Sequence, residues 1–155
     1  LSIRRQRQMC IRDRKFILII LLYLVVSFSA FAKESNFFDE AKKLFEEEKY
    51  EDSKFLFQRN IVYNPKDSNS YLYLAKIFKI EEDKRSEEKN IKTSLLLDPK
   101  NEEAMYLLID MELERSNFSR AKELKKDFEI ICLKMCKKLE TIESRLIAFE
   151  KKDES

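Results

Sequence analysis

The chain has 155 residues, room for one domain, with 39% charged and 44% hydrophobic side chains and 31 basic residues against 29 acidic ones. It contains no Gly, His or Trp and only two Pro. These absences exclude a Gly-rich phosphate loop, a dinucleotide fingerprint, a nucleophile elbow and a His-based triad, and they disfavour an all-β chain with many tight turns.

Residues 1–14 read LSIRRQRQMCIRDR. The run from Arg7 to Arg14 resembles a translated sequencing adapter, so this stretch is expected not to belong to the native protein. The alternative is a basic arm for nucleic acid or anionic lipid. Residues 16–28 (FILIILLYLVVSF) are nearly all apolar and follow Lys15; Ser29-Ala30-Phe31-Ala32 comes next. A cationic start, a short apolar run and small residues at alternate positions make 15–32 a candidate secretory signal, cleaved after Ala32. The apolar run is shorter than the ~20 residues a spanning helix needs. An uncleaved inner-membrane anchor is the other reading, and no Cys stands where a lipid anchor would need one. The expected location is therefore periplasmic or exported. Residues 1–32 hold six of the 31 basic residues and one of the 29 acidic ones, leaving 25 and 28 in residues 33–155, a net of −3. A mildly acidic, mixed surface offers no electrostatic footprint for nucleic acid.

Beyond the signal, apolar residues recur with helical spacing. The stripes are Phe37, Ala41, Leu44 and Phe45; Tyr50, Ser53, Phe57 and Ile61; Tyr71, Leu74, Ala75 and Phe78; and Met105, Leu108 and Ile109, with Glu112 in the fourth place. Asn36, Ser68 and Asn101 are candidate N-caps. Pro65 and Pro99 each end a helix, because the residue before Pro is pushed out of the α region.

The two Pro stand 34 residues apart. In register with them, Phe37 aligns with Tyr71, Ala41 with Ala75, Leu44 with Phe78, Phe57 with Ile91 and Ile61 with Leu95. A third unit continues with Met105, Leu108, Phe118 and Ala121. With this period and the turn-aromatic-x-x-Ala run Asn117-Phe118-Ser119-Arg120-Ala121, residues 34–133 resemble the tetratricopeptide repeat family. The resemblance implies an all-α, right-handed superhelical stack of antiparallel helix pairs, with units at 34–67, 68–101 and 102–133. The chain departs from the family pattern at Ala41, Ala75 and Ile109 in place of Gly, at Ser53 and Glu87 in place of Ala, at Lys84 in place of an aromatic, and at Leu133 in place of the closing Pro. The middle unit is the most degenerate.

Leu139, Ile142, Leu146 and Phe149 form one apolar stripe in 134–150, expected to be a helix capping the open end of the stack, with 151–155 a tail. A dimerising coiled coil is the alternative, with a short seam. The segment Ile131–Cys136 resembles a Leu-Cys-x-x-Gly-Cys turn of exported repeat proteins, with Met135 where that pattern has Gly, so helix 118–150 could instead run straight through. Cys132 and Cys136 are then a disulfide candidate, a buried thiol pair or a redox pair. Two ligands are too few for a zinc site.

In the resembled family the first helix of each pair lines a concave groove. Carried over, the groove candidates are Phe38, Lys42 and Phe45, then Leu72, Lys76 and Lys79, then Tyr106, Asp110 and Leu113. Exposed Phe38, Phe45 and Leu72 flanked by the three Lys would suit an extended, acidic peptide. The expected function is a periplasmic protein-interaction adaptor, with no catalysis, cofactor, metal, nucleic acid or small-molecule substrate. The alternatives are a membrane-anchored assembly factor and a thiol-active chaperone. Asn117-Phe118-Ser119 matches a glycosylation acceptor but carries no weight in this setting.

Overall fold

The computed structural model describes the backbone of residues 37–153 and the side chains of 37–148. The adapter-like run, the candidate signal and the candidate cap Asn36 lie outside the described residues. Among the described residues there are seven helices and no strand: α1 (Phe37–Glu46), α2 (Tyr50–Tyr63), α3 (Ser68–Ile80), α4 (Lys84–Leu97), α5 (Glu102–Glu114), α6 (Phe118–Ile131) and α7 (Lys138–Asp153). Helices α1/α2, α3/α4 and α5/α6 form successive pairs, each second helix packs on the next first helix, and α7 rests on α5 and α6. This is the expected stack with its cap. None of the described helices is long and apolar enough to cross a membrane.

Small residues at the expected places let the paired helices touch. Ala41, Ala75, Ser53 and Ala121 are fully buried, and Ser53 Oγ donates to the Ala41 carbonyl at 2.8 Å. Glu87 occupies the same repeat position in the middle unit and is also buried. Its Oε2 lies 3.3 Å from Lys84 Nζ, within ion-pairing range but outside hydrogen-bond geometry. Lys84, standing where the family has an aromatic, thus partners the carboxylate that replaces Ala.

Within every pair the turn is made the same way. Glu48, Glu82 and Ser116 have φ of 61°, 61° and 58°, and they stand one repeat apart. The N–H of the following residue reaches back across the turn: Lys49 to Leu44 O, Asp83 to Phe78 O and Asn117 to Glu112 O, at 2.9–3.0 Å. This is the left-handed helix stop that Gly normally supplies. With no Gly in the chain, Glu and Ser adopt it at a cost of roughly 1–2 kcal/mol each.

The turns between units follow from Pro. Asn64 and Asp98 adopt φ of −130° and −136° ahead of Pro65 and Pro99. Asp67, not Ser68, caps α3, accepting from Asn69 N; its other carboxylate oxygen accepts from Asn60 and Ser70. The Asp side chain can serve as cap and network hub together, which a hydroxyl one residue later could not. Asn101 caps α5 as expected, accepting from Ala104 N at 3.0 Å.

Helix 118–150 does not run straight through. It breaks after Ile131, where Cys132 is extended (φ −65°, ψ 131°). Cys132 and Cys136 come together at this break, with Cα atoms 5.3 Å apart, in bridging geometry. Glu102, at the start of α5, accepts the backbone N–H groups of Lys134 (3.0 Å) and Met135 (2.7 Å). A carboxylate from the first helix of the same unit thus holds a turn that has neither Pro nor Gly.

Candidate functional site

The nine groove candidates lie on α1, α3 and α5, the first helices of the three pairs. The structure divides them into two sets with different surroundings.

On α1 the candidates are half-buried. Phe38 meets Phe57 and Tyr73 edge-on, with ring centroids 5.6 and 5.8 Å apart. Phe45 meets Tyr50 and Tyr73 edge-on, at 5.6 and 5.2 Å. Tyr73 stacks on buried Phe57 at 5.0 Å. Such edge and offset contacts between rings contribute about 0.5–1.5 kcal/mol each beyond area burial. Phe38 and Phe45 are therefore both part of the core's rim and partly presented to solvent. Tyr73 joins them from α3, and burial, reinforced by the Glu103 and Glu46 charges, holds its hydroxyl above the ordinary tyrosine value. Lys42 lies between the two Phe along α1, and its Nζ is 3.9 Å from exposed Glu46, a loose within-helix pair worth a few tenths of a kcal/mol.

The expectation of an apolar strip that includes Leu72 is corrected: Leu72 is only 3% exposed. Lys76 and Lys79 are not free cations either. Lys76 pairs with Glu103 at 2.6 Å and lies 4.4 Å above the Tyr73 ring. Lys79 pairs with Asp110 and, at 3.7 Å, with Glu114. Burial works against the Lys79 charge, but the bond to Asp110, aided by Glu114 and Glu87, outweighs it and raises Lys79 above the ordinary lysine value. The reason is geometric. Each first helix lies beside the next, so lysines of one unit face carboxylates of the following one.

The third-unit candidates are engaged by the cap. Asp110 accepts from Arg145 of α7 as well as from Lys79. Burial pushes its carboxyl up, and the two cations more than reverse that, holding it below the ordinary aspartate value. Lys138 of α7 sits over the Tyr106 ring at 5.1 Å. Leu113 is 1% exposed, in a core cluster shared with Ile142 and Leu146 of the cap. Expecting Tyr106, Asp110 and Leu113 to face a partner overlooked that α7 packs in the register of a fourth first helix. Tyr73 and Arg145 are the residues that sequence reasoning missed. Tyr73 is the aromatic next to Leu72, one position along the same helix.

Among the described residues no group of three His, Cys, Asp or Glu side chains could hold a metal ion. No family model matches the chain, and no curated protein matches it. Among solved structures it is similar to the Yersinia enterocolitica type III secretion translocator chaperone SycD, with a TM-score of 0.66 and 17% identity over 77% of this chain and 84% of that one. At that identity the likeness establishes the fold: a tetratricopeptide-like helical repeat.

Proposed function

We propose that this chain is a non-catalytic, protein-binding adaptor or chaperone of the cell envelope that takes a peptide or protein segment against the first-helix face of its N-terminal half. The observation that carries the reading is the half-buried ring cluster of Phe38, Phe45 and Tyr73 with Lys42 beside it. Partly exposed rings held rigid by their neighbours are good anchors for an apolar side chain, because little conformational entropy is lost on contact. Lys42 is the one groove lysine not engaged by a carboxylate of another helix, so it can meet an acidic group next to that anchor. Likeness to a chaperone of protein translocators supports a protein partner. The apolar run 16–28 and the Cys132–Cys136 bridge support an exported location, since such bridges persist in oxidising compartments.

Site-specific photocrosslinking in the intact cell tests the reading. A photoreactive residue at Phe45 should trap a polypeptide, and Lys42→Glu should reduce that adduct several-fold. The same residue at exposed Gln58 on α2 should trap none. Equal adducts at both positions, or none at either, would remove the groove from consideration.

A further inference from the structure

The antiparallel alternation of helices places the turns α2–α3, α4–α5 and α6–α7 along one edge of the stack. The C-termini of the second helices and the N-terminus of α1 point to that same edge. Val62, Leu96 and Ile130 occupy one repeat position in the last turn of α2, α4 and α6, and they are 78%, 81% and 82% exposed. A single exposed aliphatic residue needs no explanation, but the same exposure three times at one repeat position does. Four residues further along the chain, in the turn, the next recurrence is Lys66, Lys100 and Lys134, all exposed. Among the described residues none of these three amines forms an ion pair, although most other lysines of the repeats do.

Three carboxylates beside these lysines are engaged within the fold. Asp67 is bound by Asn60 and Ser70, Asp98 accepts the Lys100 N–H, and Glu102 accepts the Lys134 and Met135 N–H groups. These three acids bind groups of the fold while the three lysines stay exposed. The edge therefore presents a row of aliphatic knobs beside a row of unpaired cations.

We propose that this edge docks on an anionic lipid surface, with Val62, Leu96 and Ile130 entering the interface and Lys66, Lys100 and Lys134 meeting headgroup phosphates. Two observations favour lipid over a protein partner. The knobs stand a helix pair apart, which suits a deformable surface better than a shaped one. The three recurring lysines form no ion pair, which leaves their charges available to anionic headgroups.

Flotation of the full chain with vesicles tests the proposal. One set is phosphatidylcholine alone and the other contains phosphatidylglycerol as well. Three proteins are compared: the parent, a Lys66→Glu/Lys100→Glu/Lys134→Glu variant and a Val62→Ser/Leu96→Ser/Ile130→Ser variant. Residues 1–35 contribute equally to all three. Near an anionic surface each lysine is worth about fivefold in partitioning, so the charge variant should lose on the order of 100-fold of the preference for phosphatidylglycerol vesicles. The serine variant should float less with the same vesicles than the parent does while keeping its helical spectrum, since all three sites are exposed. Equal partitioning of parent and variants overturns the proposal. So does a change in sedimentation coefficient without a change in flotation, which would assign the edge to contact between copies of the chain.

Discussion

The first helix pair and the last are built from the same repeat, yet they are held together differently. Around α1 and α2 the contacts are rings: Phe38, Phe45, Tyr50 and Tyr73 gather about buried Phe57, and Arg59 lies 4.4 Å over the Phe37 ring. Around α5, α6 and α7 the core is mainly aliphatic, with Leu108, Ile109, Met111, Leu124, Ile142 and Leu146 beside Phe128. There the groove side is fastened by Lys79, Asp110 and Arg145, which tie α3, α5 and α7 together. The difference teaches where a groove of this type stays available. Where a cap follows, its side chains occupy the positions a ligand would use. At the other end the rings remain at the rim. In a stack where each unit touches only its neighbours, the two ends can also open independently.

The strongest way to break this comparison is Phe57→Ala. Truncating a fully buried ring should cost about 3–5 kcal/mol. Amide exchange should speed up across α1 and α2 while α5–α7 keep their protection. Uniform loss of protection over all seven helices would show that the two ends are one cooperative unit.

A smaller effect is expected from Asp110→Asn, which leaves Lys79 and Arg145 facing a neutral amide. The two cations are each about a third exposed, so solvent screening limits the cost to about 1–2 kcal/mol. Because the folded-state value of Asp110 lies below its ordinary value, its contribution is complete above that ordinary value, near pH 4, and is lost as pH falls through the folded value. Acid titration followed by exchange of the α7 amides should therefore show a low-pH step in the parent that Asp110→Asn lacks. Lys79 behaves oppositely: its raised value means its contribution persists at neutral pH and disappears only above the ordinary lysine range.

The smallest effect probes what the two ends share. Glu48→Gly and Ser116→Gly each relieve a left-handed backbone conformation, and each should raise stability by up to about 1 kcal/mol, read as a rise in melting temperature. A gain at one turn and a loss at the other would show that the turns are not equivalent despite their matching φ.

Much of the fold was legible because burial follows period. Phe37, Ala41, Phe57, Ala75 and Leu108 were placed on helix faces from spacing, Ile91 and Ala121 from the repeat register, and all are buried. The candidate site was legible only as a set of positions. Phe38 and Phe45 lie half-buried on α1, yet the rule that selected them also assigned Leu72 and Leu113 to solvent, and both are buried. Position within a repeat says which way a Cβ points; it does not say what the next helix brings against it. For Lys76, Lys79 and Asp110 the deciding partners lie on other helices, Glu103 and Arg145 among them.

The recurrence of Pro, Ala and aromatic residues at a fixed interval was enough to determine helices, their pairing and their order, because a helix needs only local bonds and one apolar face. The chain itself could not announce that Glu48, Glu82 and Ser116 would turn left-handed without Gly, or that Glu102 would hold the turn at Cys132–Cys136. Those outcomes depend on residues distant in sequence meeting in space, where packing energy outweighs local preference.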